Sequence, residues 1–331
     1  MVPPKVYVTR RLFPEAIGRL ARECRVAVWD SDLPVPRPVL LQEGRECEGL
    51  LTLLTERIDR EVMDACPRLR VISNMAVGYD NIDVAEATRR GILVGNTPGV
   101  LTKTTADFTW ALLLAAARLV VRGDQDVRAG RWRTWEPMGW LGQDVHGATL
   151  GIVGLGNIGV EVAKRARGFD MRILYYDVVR RPPDVEAKYG LGFVPSLEDL
   201  LPQADFITLH VPLTPQTERM ITARHFRLMK RTAVLVNTSR GKVVDQRALY
   251  EALRDGLIWA AALDVTEEEP LSPQDPLLTL PNCIVTPHIA SASFATRRAM
   301  AMMAVDNLLA GLRGEPMPSC VNPEAASSRR G

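Results

Sequence analysis

Three glycines at the spacing G-x-G-x-x-G, Gly154, Gly156 and Gly159, directly follow the apolar run 149–153. In this pattern the first glycine permits a tight turn, the second lets the backbone approach a pyrophosphate, and the third lets a helix pack closely on a strand. Asp177 follows Gly159 by 18 residues, near the roughly 20 at which an acid binds ribose hydroxyls. The pattern predicts a dinucleotide site in which a helix N-terminus binds the phosphates.

The choice between the two nicotinamide dinucleotides depends on the residues around Asp177. Its carboxylate can accept hydrogen bonds from a ribose and repels a 2′-phosphate, which favours NAD. Arg180 and Arg181 follow closely and weaken that preference, because guanidinium groups bind phosphate. We therefore expect NAD as the cofactor, with NADP as an open alternative.

Four further residues carry chemistry that their local sequence leaves ambiguous. Arg240 follows an apolar run and a polar turn, where an arginine can bind a carboxylate through two hydrogen bonds. Glu269 lies in an acidic run, which is usually a solvated surface. His288 lies in a constrained Pro-His-Ile loop, and His210 ends a predicted strand near the cofactor. Taken singly, each is more simply explained as a structural or surface residue.

The segments between these residues alternate short β-like runs with amphipathic stretches, which predicts parallel sheets. Residues 1–100 contain five such runs without a phosphate-binding glycine turn, so we expect this part to bind substrate. From residue 149 the pattern predicts a doubly wound unit, in which ligands bind beyond the carboxyl ends of the strands. Residues 106–122 predict one long buried helix, residues 131–142 a Trp-rich surface loop, and residues after about 320 a frayed end.

Length and composition exclude several classes of protein. The 331 residues are enough for about two domains, and a net charge of +2 gives no sign of a nucleic-acid or membrane-surface partner. The five cysteines are scattered without metal-ligand spacing, which argues against structural zinc and against a disulfide framework. Because no signal-peptide segment or bilayer-length apolar run is present, we expect a cytoplasmic protein without a metal site.

Seven segments together resemble the D-isomer-specific 2-hydroxyacid dehydrogenase family, and most closely its glyoxylate/hydroxypyruvate reductase branch. They are residues 76–83 (AVGYDNID), 96–102 (NTPGVLT), 151–156 (GIVGLG), 210–214 (HVPLT), 237–241 (NTSRG), 263–270 (LDVTEEEP) and 287–289 (PHI). The resemblance implies an α/β fold in which a doubly wound Rossmann nucleotide domain, residues 101–286, is inserted into a smaller flavodoxin-like substrate domain, residues 1–100 and 287–331. It also implies a homodimer built partly through the helix after Thr102.

The resemblance assigns the chemistry to Arg240, Glu269 and His288. Hydride from the nicotinamide would reach C2 of a 2-oxo acid while His288, kept protonated by the carboxylate of Glu269, donates a proton to the carbonyl oxygen. Arg240 would bind the substrate carboxylate and stabilise the charge that develops on that oxygen. These roles make the expected reaction a reversible reduction by NAD(P)H.

The resemblance further implies contacts with substrate and cofactor. The substrate would contact Leu53 and the backbone N–H groups of Val77 and Gly78. The implied cofactor contacts are Thr105, Gly154, Leu155, Gly156, Asn157, Ile158, Gly159, Asp177, Val211, Pro212, Thr217, Thr238, Asp264, His288 and Ala290, with Asp264 orienting the carboxamide. Asn157 stands where the family often has Arg or Lys, and Ala290 where Gly is common; neither departure touches the three catalytic residues.

The resulting hypothesis is an oxidoreductase that converts glyoxylate and hydroxypyruvate to glycolate and D-glycerate. Within the same fold, D-3-phosphoglycerate dehydrogenase-type activity is the nearest alternative, although its phosphate requires additional cationic groups. A non-catalytic NAD-sensing protein of the same fold is an alternative from another class, against which the intact Arg240, Glu269 and His288 argue. Phosphite or formate oxidation and a methyltransferase are weaker alternatives.

Overall fold

Contacts within the chain divide the computed structural model, which describes residues 2–330, into two units. Unit 1 consists of Met1–Leu101 and Ala292–Gly331, and unit 2 of Thr102–Ser291. Unit 2 ends at Ser291, which is five residues beyond the expected domain boundary at 286/287. His288 therefore belongs to unit 2, where its backbone N–H donates to the carbonyl oxygen of Asp264 at 2.9 Å.

Unit 1 contains a five-stranded sheet in which every pair of neighbouring strands is parallel. Its strands are β1 (Lys5–Val8), β2 (Arg25–Val28), β3 (Gly49–Thr52), β4 (Val71–Asn74) and β5 (Leu93–Gly95), and its first helices are α1 (Pro14–Ala21), α2 (Arg37–Gly44), α3 (Arg60–Ala65) and α4 (Val84–Arg89). The strand order β2-β1-β3-β4-β5 is that of flavodoxin-like folds. Because helices cover both faces, β3 and β4 are buried along their whole length.

Unit 2 contains a seven-stranded parallel sheet in the order β12-β11-β10-β9-β6-β7-β8. Its elements are α5 (Thr102–Ala117), α6 (Val120–Arg128), β6 (Thr149–Val153), α7 (Asn157–Ala166), β7 (Arg172–Tyr176), α8 (Pro183–Tyr189), β8 (Leu191–Phe193), α9 (Leu197–Leu200), β9 (Phe206–Leu209), α10 (Ala223–Leu228), β10 (Val234–Asn237), α11 (Gln246–Arg254), β11 (Ala260–Leu263) and β12 (Cys283–Val285). The strand order reverses between β6 and β9, which confirms the predicted doubly wound nucleotide fold.

The register aligns the carboxyl ends of six strands of this sheet. Val153 pairs with both Tyr176 and Leu209, and Asn237 pairs with both Leu209 and Leu263. Leu263 in turn pairs with Val285 at the end of β12. The loops that follow these strands therefore leave the sheet at one edge, which is where doubly wound sheets bind their ligands.

The last helix, α12 (Phe294–Arg313), returns the chain to unit 1, where it packs against β3, β4, β5 and α1. The side chain of Ser293 caps its first turn by accepting a hydrogen bond from the N–H of Thr296. Gly314 ends it in the left-handed conformation, at φ = 75°, which glycine adopts at low cost.

Two local predictions were wrong. The single helix expected over residues 106–122 is two helices, α5 and α6, because Leu119 adopts a left-handed conformation at φ = 54° between them. The expected fraying after residue 320 does not hold near Asn322, whose fully buried amide accepts from the N–H of Val94 at 2.7 Å and donates to the carbonyl oxygen of Ile92.

Within residues 2–330, no single helix is both long and apolar enough to cross a bilayer. The helices α5 and α6 taken together, with a 61° bend between them, have the length and composition to do so.

Candidate active site

The glycine turn after β6 has the shape that a dinucleotide site requires. Gly154 is left-handed at φ = 89°, and a Cβ added there would lie 2.9 Å from the backbone of Val211. A Cβ at Gly159 would lie 2.5 Å from the carbonyl oxygen of Gly154, so only glycine lets α7 approach the turn. At Gly156, by contrast, nothing lies within 4 Å of an added Cβ. The backbone of Gly156 is thus open to a ligand at the N-terminus of α7.

The backbone of Leu155, inside the glycine turn, is held on both sides. Its N–H donates to Oδ2 of Asp177 at 2.7 Å, and its carbonyl oxygen accepts from Nε of Arg181 at 2.8 Å. A second bond from the Arg181 guanidinium reaches the same oxygen. The acid at the end of β7 is therefore tied to the glycine turn.

His210 lies beside this turn, directly after β9. Its backbone N–H donates to the carbonyl oxygen of Val153 at 2.8 Å. Burial lowers the pKa of His210 to about 3, which leaves the imidazole neutral at physiological pH. Its Nε2 is buried and has no hydrogen-bond partner among residues 2–330.

The other predicted cofactor residues lie in unit 2 on the same edge or close to it. Thr217 closes the loop after β9 by donating to the carbonyl oxygen of Pro212 at 2.6 Å. The hydroxyl of Thr238, after β10, is 2.9 Å from that of Thr109 in α5, one turn beyond the buried Thr105. Asn157 and Ile158 form the first turn of α7, with Asn157 exposed and Ile158 half-buried.

The three predicted catalytic residues follow three adjacent parallel strands. Arg240 comes after β10, Glu269 after β11 and His288 after β12. Gly241 lets the first two loops meet, because a Cβ added at Gly241 would overlap the backbone of Thr266. The two loops after β10 and β11 are therefore packed directly on each other.

Glu269 and His288 are in direct contact. Oε2 of Glu269 lies 2.7 Å from Nδ1 of His288, and Oε1 accepts from the N–H of Thr266 at 3.2 Å. The side chain of Glu269 is 33% exposed and that of His288 is 25% exposed, so the pair is accessible without being fully solvated. With Nδ1 facing the carboxylate, Nε2 is the ring nitrogen available to a substrate.

The backbone that carries His288 is strained and is held by Asp264. His288 adopts φ = 54°, a conformation that non-glycine residues seldom take. The carboxylate of Asp264, which is 1% exposed, accepts bonds from the N–H groups of Ile289 and Ala290 and from the Thr286 hydroxyl, at 2.7 to 2.8 Å. Asp264 thus positions the loop that carries His288. The family resemblance implied only that Asp264 orients the carboxamide of the cofactor.

The turn that carries Arg240, residues 237–241, is held by the side chain of Asn237. The side-chain amide of Asn237 donates to the carbonyl oxygen of Arg240 at 2.9 Å, and its oxygen accepts from Ser239. Nη1 of Arg240 donates to the carbonyl oxygen of Ser239 at 3.0 Å. Arg240 is half-buried.

The predicted substrate residues Leu53, Val77 and Gly78 lie in unit 1, in the loops after β3 and β4. The amide of Asn81 donates to the carbonyl oxygens of Leu53 at 3.0 Å and of Glu56 at 2.8 Å. The amide of Asn74 in β4 donates to Gly78 O and to Asn81 Oδ1, while Asn96 donates to Val77 O at 2.8 Å. A network of asparagines, which the sequence analysis did not identify, therefore ties the two loops together.

Residues 110–290 match the family model described as D-isomer specific 2-hydroxyacid dehydrogenase, NAD binding domain. The chain belongs to this family. It is 54% identical over 327 residues to a protein of Korarchaeum cryptofilum named glyoxylate reductase, with 98% of each chain covered. The crystal structure of the TT0316 protein from Thermus thermophilus superposes with a TM-score of 0.90 at 48% identity, covering 96% of this chain and 99% of the other.

A second solved structure to which the chain is similar contains ligands. It is an NADPH-dependent glyoxylate/hydroxypyruvate reductase from Sinorhizobium meliloti in complex with NADP and malonate, with a TM-score of 0.83, 34% identity and 98% coverage of each chain. The predicted family resemblance and nicotinamide cofactor are therefore confirmed, and the chain is an oxidoreductase.

The residues present fit a nicotinamide dinucleotide. The open space at Gly156, the left-handed Gly154 and the unpartnered Nε2 of His210 all lie at the turn where the strand order reverses. Residues 2–330 contain no group of three His, Cys, Asp or Glu side chains that could hold a metal ion.

Proposed function

We propose that this enzyme reduces glyoxylate and hydroxypyruvate, to glycolate and D-glycerate, using NADH or NADPH. The observation that carries the proposal is the Glu269–His288 pair, at 2.7 Å, on the ligand-binding edge of an NAD-binding sheet. The proposal is supported by the name of the K. cryptofilum relative and by that of the S. meliloti enzyme.

Each residue of the trio has a distinct role in this reaction. The nicotinamide cofactor, when bound, supplies the hydride. Glu269 holds Nδ1 of His288, so that Nε2 faces the substrate and donates a proton to the carbonyl oxygen. Arg240 binds the substrate carboxylate and stabilises the developing negative charge on that oxygen. The reverse reaction uses the same groups, with His288 accepting the proton.

We propose that substrate size is set by residues of unit 1. The backbone N–H groups of Val77 and Gly78 bind the substrate carboxylate, and Leu53 packs on the small side chain at C2. This assignment is supported by the bonds that hold the same two peptide units from their carbonyl side. The N–H of Thr97 donates to the carbonyl oxygen of Ala76, and the amide of Asn96 to that of Val77, both at 2.8 Å.

The alternative functions have less support. D-3-phosphoglycerate oxidation requires cationic groups for a phosphate, and the three proposed substrate residues of unit 1, Leu53, Val77 and Gly78, are all uncharged. A non-catalytic NAD-sensing protein has no use for a carboxylate paired with an accessible histidine. The Glu269–His288 pair therefore favours catalysis.

A panel of 2-oxo acids with both cofactors tests the proposal. We expect loss of the nicotinamide absorbance with glyoxylate and with hydroxypyruvate, and formation of glycolate and D-glycerate. Arg240→Lys should lower kcat/KM for the oxo acid by about a hundredfold, because a point charge cannot replace a planar guanidinium, while NADH affinity is retained. Absence of turnover with either acid would reject the function, and an unchanged kcat/KM would remove Arg240 from the site.

We also propose that the enzyme is a homodimer. Between α6 and β6, the side chains of Trp132, Trp135, Met138 and Leu141 are all more than half exposed. Several large apolar side chains exposed within one short segment favour an interaction surface, and a second copy of the chain is the partner that the family resemblance implies. We expect sedimentation to give a dimer for the native chain, a monomer for Trp135→Glu, and a dimer for the control Leu33→Glu at a similarly exposed apolar position in unit 1. A native monomer would contradict the proposal.

A further inference from the structure

Two consecutive arginines follow Asp177, and the structure gives them different partners. The guanidinium of Arg180 donates from Nε and from Nη2 to the two carboxylate oxygens of Glu186, both at 2.9 Å. Glu186 lies in α8, is 8% exposed, and also accepts from the hydroxyl of the fully buried Tyr175 at 2.6 Å. The guanidinium carbon is also 5.3 Å from the ring centroid of Phe193. Arg180 is therefore held in place from two directions.

Arg181 binds a backbone group of the glycine turn instead of a carboxylate. Its guanidinium binds the carbonyl oxygen of Leu155 in the glycine turn, beside the bond from Leu155 N–H to Asp177. The backbone N–H of Arg181 donates to the Tyr175 hydroxyl at 2.9 Å, and the same hydroxyl donates to Glu186. Glu186 is thus bonded directly to the Arg180 guanidinium and, through the Tyr175 hydroxyl, to the backbone N–H of Arg181.

An arginine pair near the ribose-binding acid would ordinarily bind a 2′-phosphate. Because Nε and Nη2 of Arg180 already bind Glu186, a second anion can reach only the N–H donors that this two-point contact leaves over, unless the contact breaks. The Arg180 guanidinium, followed by the Tyr175 hydroxyl, lowers the pKa of Glu186 to about 2, so the carboxylate stays charged throughout the physiological pH range. Arg180 therefore has a charged partner throughout that pH range.

We propose that Glu186 is a positioning residue that sets the cofactor preference. By holding Arg180 away from the ribose end of the cofactor, it leaves Asp177 with one neighbouring arginine and favours NADH over NADPH. This inference rests on the proposed function only for its activity measurement, because cofactor binding can be measured without a substrate.

The decisive variant is Glu186→Gln, which removes the charge and keeps both the shape and an acceptor for Tyr175. We expect the ratio of kcat/KM for NADPH to that for NADH to rise about tenfold, the effect of one charge-assisted bidentate contact. Arg180→Ala alone should leave the ratio within about twofold of the native value, and the double variant should lose the gain. The matched control Glu198→Gln breaks the Arg224–Glu198 pair elsewhere in unit 2 and should leave the ratio unchanged.

Calorimetric titration of each variant with NADH and with NADPH separates this inference from the proposed function. The ratio of the two Kd values should shift in the same direction as the kinetic ratio, even if no tested acid is a substrate. If Glu186→Gln loses NADH affinity or has a lowered Tm, the variant has a folding defect. In that case Glu186→Asp, which keeps the charge, should restore the native ratio of the Kd values for NADPH and NADH. A ratio that Glu186→Gln does not change, or a gain that persists without Arg180, would overturn the proposal.

Discussion

Replacing Asp264 with asparagine tests how the loop that carries His288 is held. The carboxylate accepts from Thr286 and Ile289 on Oδ1 and from Ala290 on Oδ2. Asparagine keeps one acceptor oxygen but must point its NH₂ group at a donor on the other side. At least one buried hydrogen bond is therefore lost, and two donors are left facing each other.

The magnitude follows from the burial of this group. A hydrogen bond to a charged acceptor contributes about 1.5–3 kcal/mol, and a buried donor left without a partner costs about 1–3 kcal/mol. We expect Asp264→Asn to lower the free energy of unfolding by about 3 kcal/mol. At about 2–4 °C per kcal/mol for a domain of 150–250 residues, Tm should fall by roughly 6–12 °C.

Thermal unfolding without cofactor, followed by circular dichroism, measures this effect. The control is Asp245→Asn, because Asp245 caps α11 through a single bond from the N–H of Ala248 and asparagine is an equally good cap. Its Tm should stay within about 2 °C of the native value. If Asp264 acted mainly on the cofactor, Asp264→Asn would keep its Tm and lose only NADH affinity, and that result would refute the structural role of this carboxylate.

Three further predictions concern other parts of the molecule. Gly159→Ala should destabilise the fold by about 1–3 kcal/mol and weaken NADH binding, because the new Cβ would lie 2.5 Å from the Gly154 carbonyl oxygen; native values in urea unfolding and calorimetry would contradict the packing argument. Burial lowers the pKa of His210 to about 3, so the unfolded chain binds a proton that the folded chain does not between about pH 6.5 and 3. Stability should be complete above about pH 6.5 and decrease as pH falls through that range, and His210→Gln should remove part of the decrease in urea unfolding at pH 7 and pH 5. Asn81→Ala removes the bond to the carbonyl oxygen of Leu53 and should raise KM for glyoxylate about tenfold with kcat less affected; equal losses in KM and kcat for all substrates would point to general misfolding.

Much of the fold could be predicted because its signals are local. Short apolar runs between turn residues marked β6, β9, β10 and β11 to within one residue, since a buried parallel strand is apolar on both faces. The glycine turn was recognisable for the same reason, because a left-handed residue and a close helix–strand contact each require glycine at a fixed spacing. The doubly wound class of residues 149–286 followed from the alternation of strands and helices, and the flavodoxin-like class of the substrate domain from the family resemblance.

The remaining features depend on contacts between distant residues. Leu119 adopts a glycine-like conformation that its side chain gives no reason to expect, so the break between α5 and α6 went unpredicted. Asn322 is polar and near the end of the chain, yet its amide pairs with backbone groups around β5. The short elements α4, α8 and β8 have too few residues for a clear periodicity, and the role of Glu186 is visible only when its partners are seen.

The same distinction applies to the site. Arg240, Glu269 and His288 are separated along the chain, and composition gave each a simpler structural explanation. Their association depends on the order of β10, β11 and β12 in the sheet, which the spacing of residues does not specify. The family resemblance supplied the association, and the contact between Glu269 and His288 gives it a physical basis.

The measurement that tests the central claim most directly is glyoxylate-dependent oxidation of NADH by His288→Ala, compared with His146→Ala. His146 is an exposed histidine of unit 2, remote in sequence from the three catalytic positions. We predict that His288→Ala loses about 10²- to 10⁴-fold in kcat while binding NADH with native affinity, and that His146→Ala turns over normally. Native turnover by His288→Ala would show that proton donation does not come from this residue and would contradict the mechanism.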